Sequence, residues 1–273
     1  MNSFLKTCLM VLLTAIFLLF SLPALSAEEG FDAGELAKKT QNPVAAMISV
    51  PFQNNTNFGF GPGDDVQNVL NIQPVWPFKL SGGLNLITRT IFPIVAQPEL
   101  ASGAGRTFGL GDTSFTGFIS PSKPGKIIWG AGPVLLLPTA TDENLGTGKW
   151  GFGPSFVVLT KEKQWVYGAL WNNIWSFAGK SSRSDVNQML LQLFVNYNFT
   201  GGWYVTSAPI ITANWKASEG DKWVVPLGGG GGRVFRAGKL PLNAGAQVYY
   251  NIVQPDMGPM WQLRAQVTLL FPK

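Results

Sequence analysis

The sequence predicts an all-β protein: a transmembrane, antiparallel up-and-down β-barrel of about twelve strands behind a cleaved N-terminal signal peptide. Three observations carry this. The chain opens with an apolar leader, apolar and polar residues then alternate with period two in long runs, and those runs hold large aromatics near their ends.

The leader has three parts. Met1–Lys6 is a basic start, Leu9–Leu22 is apolar and uncharged, and Pro23 ends the run. Ala24, Ser26 and Ala27 then precede Glu28 and Glu29. A basic start, an apolar centre and small residues before the cut are what an export signal needs. Cleavage is expected after Ala27, although Leu25 is a larger residue than that site prefers; an uncleaved anchor helix is the alternative. Residues 1–27 are then the signal, 28–43 a periplasmic segment and 44–273 the barrel. Cys8 leaves with the leader, so the mature chain has no thiol for a disulfide or a thiolate metal site.

Composition excludes several function classes. The chain has no histidine, so neither a Ser-His or Asp-His hydrolytic site nor a His-ligated zinc can be built. No metal or other cofactor is expected. The formal charge of +5 is too small and too scattered for nucleic acid, which needs a clustered basic stripe. Only 13% of residues are charged while 12% are aromatic, against about a quarter charged in soluble domains. Yet no stretch after Ala27 reaches the ~18 apolar residues of a membrane helix.

The alternation is clearest at the end. Trp261, Leu263, Ala265, Val267, Leu269 and Phe271 fall on one face, and Gln262, Arg264, Gln266 and Thr268 on the other; Leu270 is the exception. Successive strand residues point to opposite faces, so one face is apolar and the other polar. Met189–Phe199 repeats this against Gln188, Gln192, Asn196 and Asn198. Trp203–Trp215 does so against Tyr204, Thr206, Thr212 and Asn214, and Leu242–Tyr250 against Asn243, Gln247 and Asn251. The row from Trp165 to Phe177 is interrupted by Asn173, and Leu70–Phe78 opposes Asn71 and Gln73. A soluble sandwich also alternates. The length of these runs and their terminal aromatics favour a membrane, which strands cross in about 9–11 tilted residues between aromatic girdles. Strands are expected near 44–53, 66–78, 84–96, 109–119, 127–139, 149–160, 165–178, 186–199, 203–216, 222–236, 240–252 and 260–271. Connectors Asn54–Asp65, Gln97–Phe108, Ala140–Gly148 and Gly179–Asp185 read as long outer loops, and Lys79–Gly83, Lys161–Gln164, Thr200–Gly202 and Ala237–Lys239 as short inner turns.

Charge should avoid mid-bilayer lipid, where Lys or Arg costs roughly 2–4 kcal/mol. The clear mid-strand charges are Arg89, Asp112 and Arg264, of which Arg89 and Arg264 lie opposite apolar rows and are expected inside. Arg233 is predicted outward by simple alternation from Trp223, unless a bulge in the glycine run resets it; otherwise it snorkels at the periplasmic edge. Gly228–Gly232 lacks the Lys-Ser/Thr of a phosphate loop and reads as glycine that lets the wall bend. Asp64, Asp65, Asp112, Asp142 and Glu143 fit no calcium loop and read as solvated loop charges. Pro74, Pro93, Pro133, Pro138, Pro154, Pro209 and Pro226 lack ladder donors. They belong at bulges or strand ends, with a lateral weak point for apolar solutes as the sharper reading. Ala33–Thr40 suggests a short helix, with its place undecided.

With strands placed, several stretches resemble one family. They are KKTQNPVAAMISVPFQNN (38–55), LITRTIFPIV (86–95), WGAGPVLLLPTATDENLGTGKWGFGPS (129–155), SAPIITANW (207–215), WVVPLGGGG (223–231), YYNIVQP (249–255) and LLFPK (269–273). They resemble the outer-membrane barrel family named for the meta-cleavage pathway of phenol degradation, whose members are often labelled transporters. The resemblance implies an outer-membrane location and movement of small, hydrophobic or aromatic compounds; it brings no catalytic residues. Phe271 is followed by Pro272 and Lys273, a departure from the commonest ending read by the barrel assembly machinery.

The expected function is passive passage of small solutes, with no enzymatic activity; a non-conducting structural or adhesive barrel is the alternative. Twelve strands predict an intermediate lumen. Its expected lining is Arg89, Gln192, Asn196, Thr212, Asn214, Asn243, Gln247, Gln262, Arg264 and Gln266, with the two arginines favouring anions modestly. Outer-membrane lipid, the assembly machinery and a small solute are the expected partners; oligomeric state is open.

Overall fold

A computed structural model describes residues 32–100 and 105–272; the leader lies outside them. Among the described residues, fifteen strands follow one short helix, α1 (Ala33–Thr40): β1 (Ile48–Phe60), β2 (Asp65–Ile72), β3 (Val75–Lys79), β4 (Leu84–Gln97), β5 (Thr107–Leu110), β6 (Thr113–Pro121), β7 (Ile127–Leu137), β8 (Lys149–Glu162), β9 (Trp165–Gly179), β10 (Asn187–Asn198), β11 (Trp203–Ser207), β12 (Ile210–Asn214), β13 (Trp223–Ala237), β14 (Leu240–Val253) and β15 (Trp261–Phe271). Three pairs, β2/β3, β5/β6 and β11/β12, are single staves broken in the middle, leaving twelve staves in one antiparallel sheet. β1 pairs with β15 from Ile48↔Phe271 to Phe58↔Trp261, so the sheet closes and no main edge is left.

Both described ends of the chain lie at one rim, here the terminal rim. Closure works because the staves are apolar outside where they meet lipid, while inside some are polar and others carry an apolar cluster. Among the outward side chains, Trp76, Trp129, Trp165, Phe199 and Trp203 stand exposed at the terminal rim. Trp150, Trp175, Phe177, Trp215 and Trp261 do so at the opposite, outer rim. Two aromatic girdles result, several of them in edge contact: Trp165–Tyr197 at 4.9 Å and Trp215–Trp223 at 5.3 Å between centroids. Asn173, the interruption in its row, does face outward. It is shielded there because the Trp215 indole donates to its Oδ1 (2.9 Å) and its own amide donates to Asn187 (3.0 Å). A satisfied polar group is tolerable beside lipid where an orphan one is not.

Two expectations are corrected. The first strand begins at Ile48, not 44, and runs to Phe60, so the supposed long loop Asn54–Asp65 is mostly strand with a tight turn over 61–64. The polar run Gln53–Asn57 misled because it serves both faces. Gln53, Asn55 and Asn57 share the inward register with Gln266, Arg264 and Gln262. Outside, Asn54 and Asn68 exchange amide hydrogen bonds (2.8 and 3.0 Å), and Thr56 joins them. The second correction concerns Asp112, which is no solvated loop charge. It sits at the β5/β6 break and accepts from the backbone N–H and hydroxyl of Thr147 (2.6 and 2.7 Å), fastening the 138–148 loop.

The prolines lie where ladders are already irregular. Pro74 and Pro209 occupy breaks, Pro226 a register shift, and Pro133 faces Pro154 across β7 and β8. Pro93 stands opposite the β5/β6 break, its carbonyl accepting from Gly111 N–H at 2.8 Å. The β13 shift falls between Val225 and Pro226. It does not turn Arg233 inward: Arg233 pairs with outward Trp203 and lies over that ring, 4.9 Å from its centroid, at the terminal rim.

Candidate functional site

The lumen is the candidate site, and the chain's own N-terminal segment enters it. Asp32 caps α1 by accepting from Glu35 N–H (2.9 Å). The buried face of the helix, Leu36 and Ala37, packs with Met47, Tyr204, Val234 and Leu270. This is why Leu270 breaks the alternation of β15: it points inward to meet α1. Gln41 and Asn198 exchange amide hydrogen bonds (2.8 and 3.0 Å), and the Asn243 amide donates to Thr40 Oγ1 (3.4 Å).

After α1 the chain reverses within the lumen. Asn42 drives the turn, its carbonyl accepting from Ala45 N–H (3.1 Å) and its side chain from Val44 N–H (3.0 Å). Val44, at the tip, is 5% exposed. It packs into an inward apolar cluster of Ile87, Phe118, Ile128, Val157, Leu159, Val166, Leu170 and Phe194. A Cβ on Gly130 would lie 2.8 Å from Val44 Cγ1, so glycine there makes the seat. One side of the lumen is thereby filled with hydrocarbon.

The other side stays open and polar. A cavity of about 190 Å³ lies between the inserted segment and the wall of β1, β3, β4, β10, β11, β14 and β15. Of the expected lining residues, Arg89, Gln192, Asn196, Asn243, Gln247, Arg264 and Gln266 border it. Gln262 points inward nearer the outer rim, where it accepts from Arg264 Nη2 (3.1 Å). Thr212 and Asn214 share the inward register of Leu190 and Gln188 but do not border this cavity. Sequence reading missed Lys39–Pro43, Met47, Gln53, Gln73, Tyr204 and Thr206, which also border it. Gln53, Gln73 and Tyr204 were accessible by parity alone; nothing local announced the inserted segment except the misplaced Leu270.

Arg264 organises the wall. Its Nη1 donates to the Ala208 carbonyl (3.0 Å), its Nε to Asn55 Oδ1 (3.3 Å), and its guanidinium lies over the Tyr249 ring at 4.9 Å. Ala208 lies in the β11/β12 break beside Pro209, and its N–H donates to the Tyr249 hydroxyl (2.9 Å). Two side chains from other staves thus satisfy the backbone that Pro209 leaves irregular. They reach it over the five-glycine run of β13. Tyr204 likewise lies over Gly232, where a Cβ would come within 2.3 Å of its hydroxyl. The run is a trough for neighbouring side chains as well as a bend. From Arg264 an amide chain continues outward. Gln262 donates to Asn57 (2.9 Å), Asn57 to Gln67 (2.7 Å) and Gln67 to Gln97 (2.7 Å).

At the outer rim the 138–148 and 180–186 loops are clasped. Lys180 pairs with Glu143 (2.7 Å) and Lys149 with Asp185 (3.1 Å), while Arg183 donates to the carbonyls of Glu143 (2.9 Å) and Gly146 (2.6 Å). Hydrogen bonding to Lys180 holds the Glu143 carboxyl below the usual carboxylate range, and Lys149 does the same for Asp185.

No family model and no curated protein matches the chain. Among solved structures, the COG4313 outer membrane channel from Pseudomonas putida F1 aligns with TM-score 0.65 and 18% identity, over 90% of this chain and 100% of its own. The outer membrane phospholipase A from Escherichia coli (TM-score 0.44, 10% identity, 89% and 99% covered) and the P. putida toluene transporter TodX (0.37, 10%, 82% and 87%) superpose too loosely to bear on function. At these identities the likeness is one of architecture: the chain folds as a closed twelve-stave barrel of the outer-membrane type.

Proposed function

We propose that the protein is an exported outer-membrane channel for passive passage of small solutes, with the inserted 32–47 segment controlling how far its lumen is open. One observation carries this reading. The polar side of the lumen keeps a cavity lined by amides and two arginines instead of being packed shut, and the amide chain leads from it towards the outer rim. The solved barrel that aligns over its full length is described as an outer membrane channel, and that description is extended to this chain as part of the proposal. Cleavage after Ala27, assembly by the barrel machinery and kinship with the phenol-degradation family belong to the same proposal, which adds small aromatic compounds as candidate solutes. No enzymatic role is assigned, since the absence of histidine removes the common hydrolytic sites.

The test is single-channel recording of the purified protein in planar bilayers. Discrete steps are expected; silence, together with no liposome swelling, would leave a structural or adhesive barrel. A second route is favoured by the seam between β12 and β13, where no pairing spans the stretch between Thr206↔Gly230 and Thr212↔Val224 and both Pro209 and Pro226 fall. Passage of apolar solutes sideways there would slow when Pro209 and Pro226 are replaced by Val, and unchanged uptake would remove it.

A further inference from the structure

The cavity beside the inserted segment holds positive charge with no acid to answer it. Arg89 and Arg264 both border it, Lys39 of the inserted segment does too, and neither Asp nor Glu is among its lining residues. Arg89 donates to the Gln73 side chain, and Arg264 to Asn55, Gln262 and the Ala208 carbonyl, all neutral acceptors. Neither arginine forms an ion pair among the described residues. By contrast, four of the cations at the outer rim, Arg106, Lys149, Lys180 and Lys222, are matched with carboxylates.

A guanidinium keeps its proton at any physiological pH, and taking it out of water without a counter-charge is costly. Arg264 is 3% exposed. The arrangement therefore favours an anion that supplies the missing charge. The remaining wall sets the rest of that anion. Met47, Val75, Phe194 and Leu270 give the cavity an apolar side. A volume of about 190 Å³ exceeds the ~150 Å³ in which an apolar cavity accepts benzene.

We infer that this cavity is a binding site for small monocarboxylates with an apolar, ring-sized body. The carboxylate lies towards Arg89 and Arg264, the body lies against Met47 and Phe194, and the glutamines complete the carboxylate's hydrogen bonds. The inference deepens the channel reading by naming a solute class, and it rests on the lumen being reachable from water.

The experiment is calorimetric titration of the full-length mature protein, folded in detergent, with benzoate and with its neutral counterpart benzyl alcohol. Benzoate should bind, and benzyl alcohol at least about tenfold more weakly, as expected for loss of a charge-assisted hydrogen bond. Arg89→Gln should weaken benzoate by about tenfold or more, while Arg89→Lys should retain most of the affinity. Heat-dependent gel mobility verifies that each variant is folded. No benzoate binding by folded protein, equal affinity for the alcohol, or undiminished binding in Arg89→Gln overturns the inference. Bilayer recording separates this from the channel reading. Conductance without benzoate binding removes the site and keeps the channel, whereas binding without conductance keeps the site and removes passage.

Discussion

Single residues explain the features of the sequence that strict alternation left over. Leu270 is apolar on a polar face because α1 rests on it, and Asn173 is polar on an apolar face because Trp215 and Asn187 satisfy it. Tyr249 is the sharpest case, since its hydroxyl accepts from Ala208 N–H beside the β11/β12 break. Tyr249→Phe keeps the ring under Arg264 but leaves that N–H without its partner, at a cost of about 1–3 kcal/mol. The urea midpoint for loss of the compact form on gels should fall accordingly; an unchanged midpoint would mean that water replaces the hydroxyl. The ten expected lining positions share the inward register, because parity is a local property. Which seven of them meet one cavity was not local at all.

At the scale of elements, the inserted segment and the outer clasp each behave as a unit. A Val44→Cys/Gly130→Cys pair would place its Cβ atoms close to the 3.5–4.5 Å a disulfide requires, given the 2.8 Å approach of Val44 Cγ1 to a Cβ at Gly130. Oxidation should lock the segment and lower conductance, with reductant restoring it. Equal currents in both states would show that the segment does not control the lumen. The clasp responds to acid instead. Asp185 and Glu143 are held below their usual range by Lys149 and Lys180. Their contribution is therefore present above the unfolded carboxylate values of about 3.9–4.3 and lost as pH falls through the depressed folded ones. A spin label at Ser181→Cys should stay restrained at pH 6 and loosen below about pH 4; equal mobility across that range would exclude the clasp.

For the whole molecule, the governing fact is that two solvents meet the same wall one residue apart. On β10, Leu193 faces outward and is 44% exposed, while its neighbour Gln192 borders the lumenal cavity. Leu193→Arg should cost roughly 2–4 kcal/mol of barrel stability in lipid, and Gln192→Arg far less. Denaturant titration of both variants in vesicles measures this directly, and equal losses would contradict a membrane-facing exterior. Closure through β1 and β15 makes the unit cooperative, and the inner apolar cluster extends that cooperativity to the inserted segment. The lumen is thus a partly built core, hydrocarbon against β6–β10 and polar against β14, β15, β1 and β4.

The sequence by itself determined the closed, twelve-stave architecture, the facing of nearly every stave and the polar character of much of the lumen. These follow from period two and from what lipid forbids, both readable over a dozen neighbouring residues. Only the tertiary structure decided that Gln53–Asn57 is strand, that Asp112 fastens a loop, and that the inward apolar residues of β7–β9 gather to receive Val44. It also decided that two distant arginines share one acid-free cavity. Each depends on partners far away in the chain, from the 35 residues between Asp112 and Thr147 to the 209 between Asn55 and Arg264, and contacts of that span leave no periodic trace in the segments that make them.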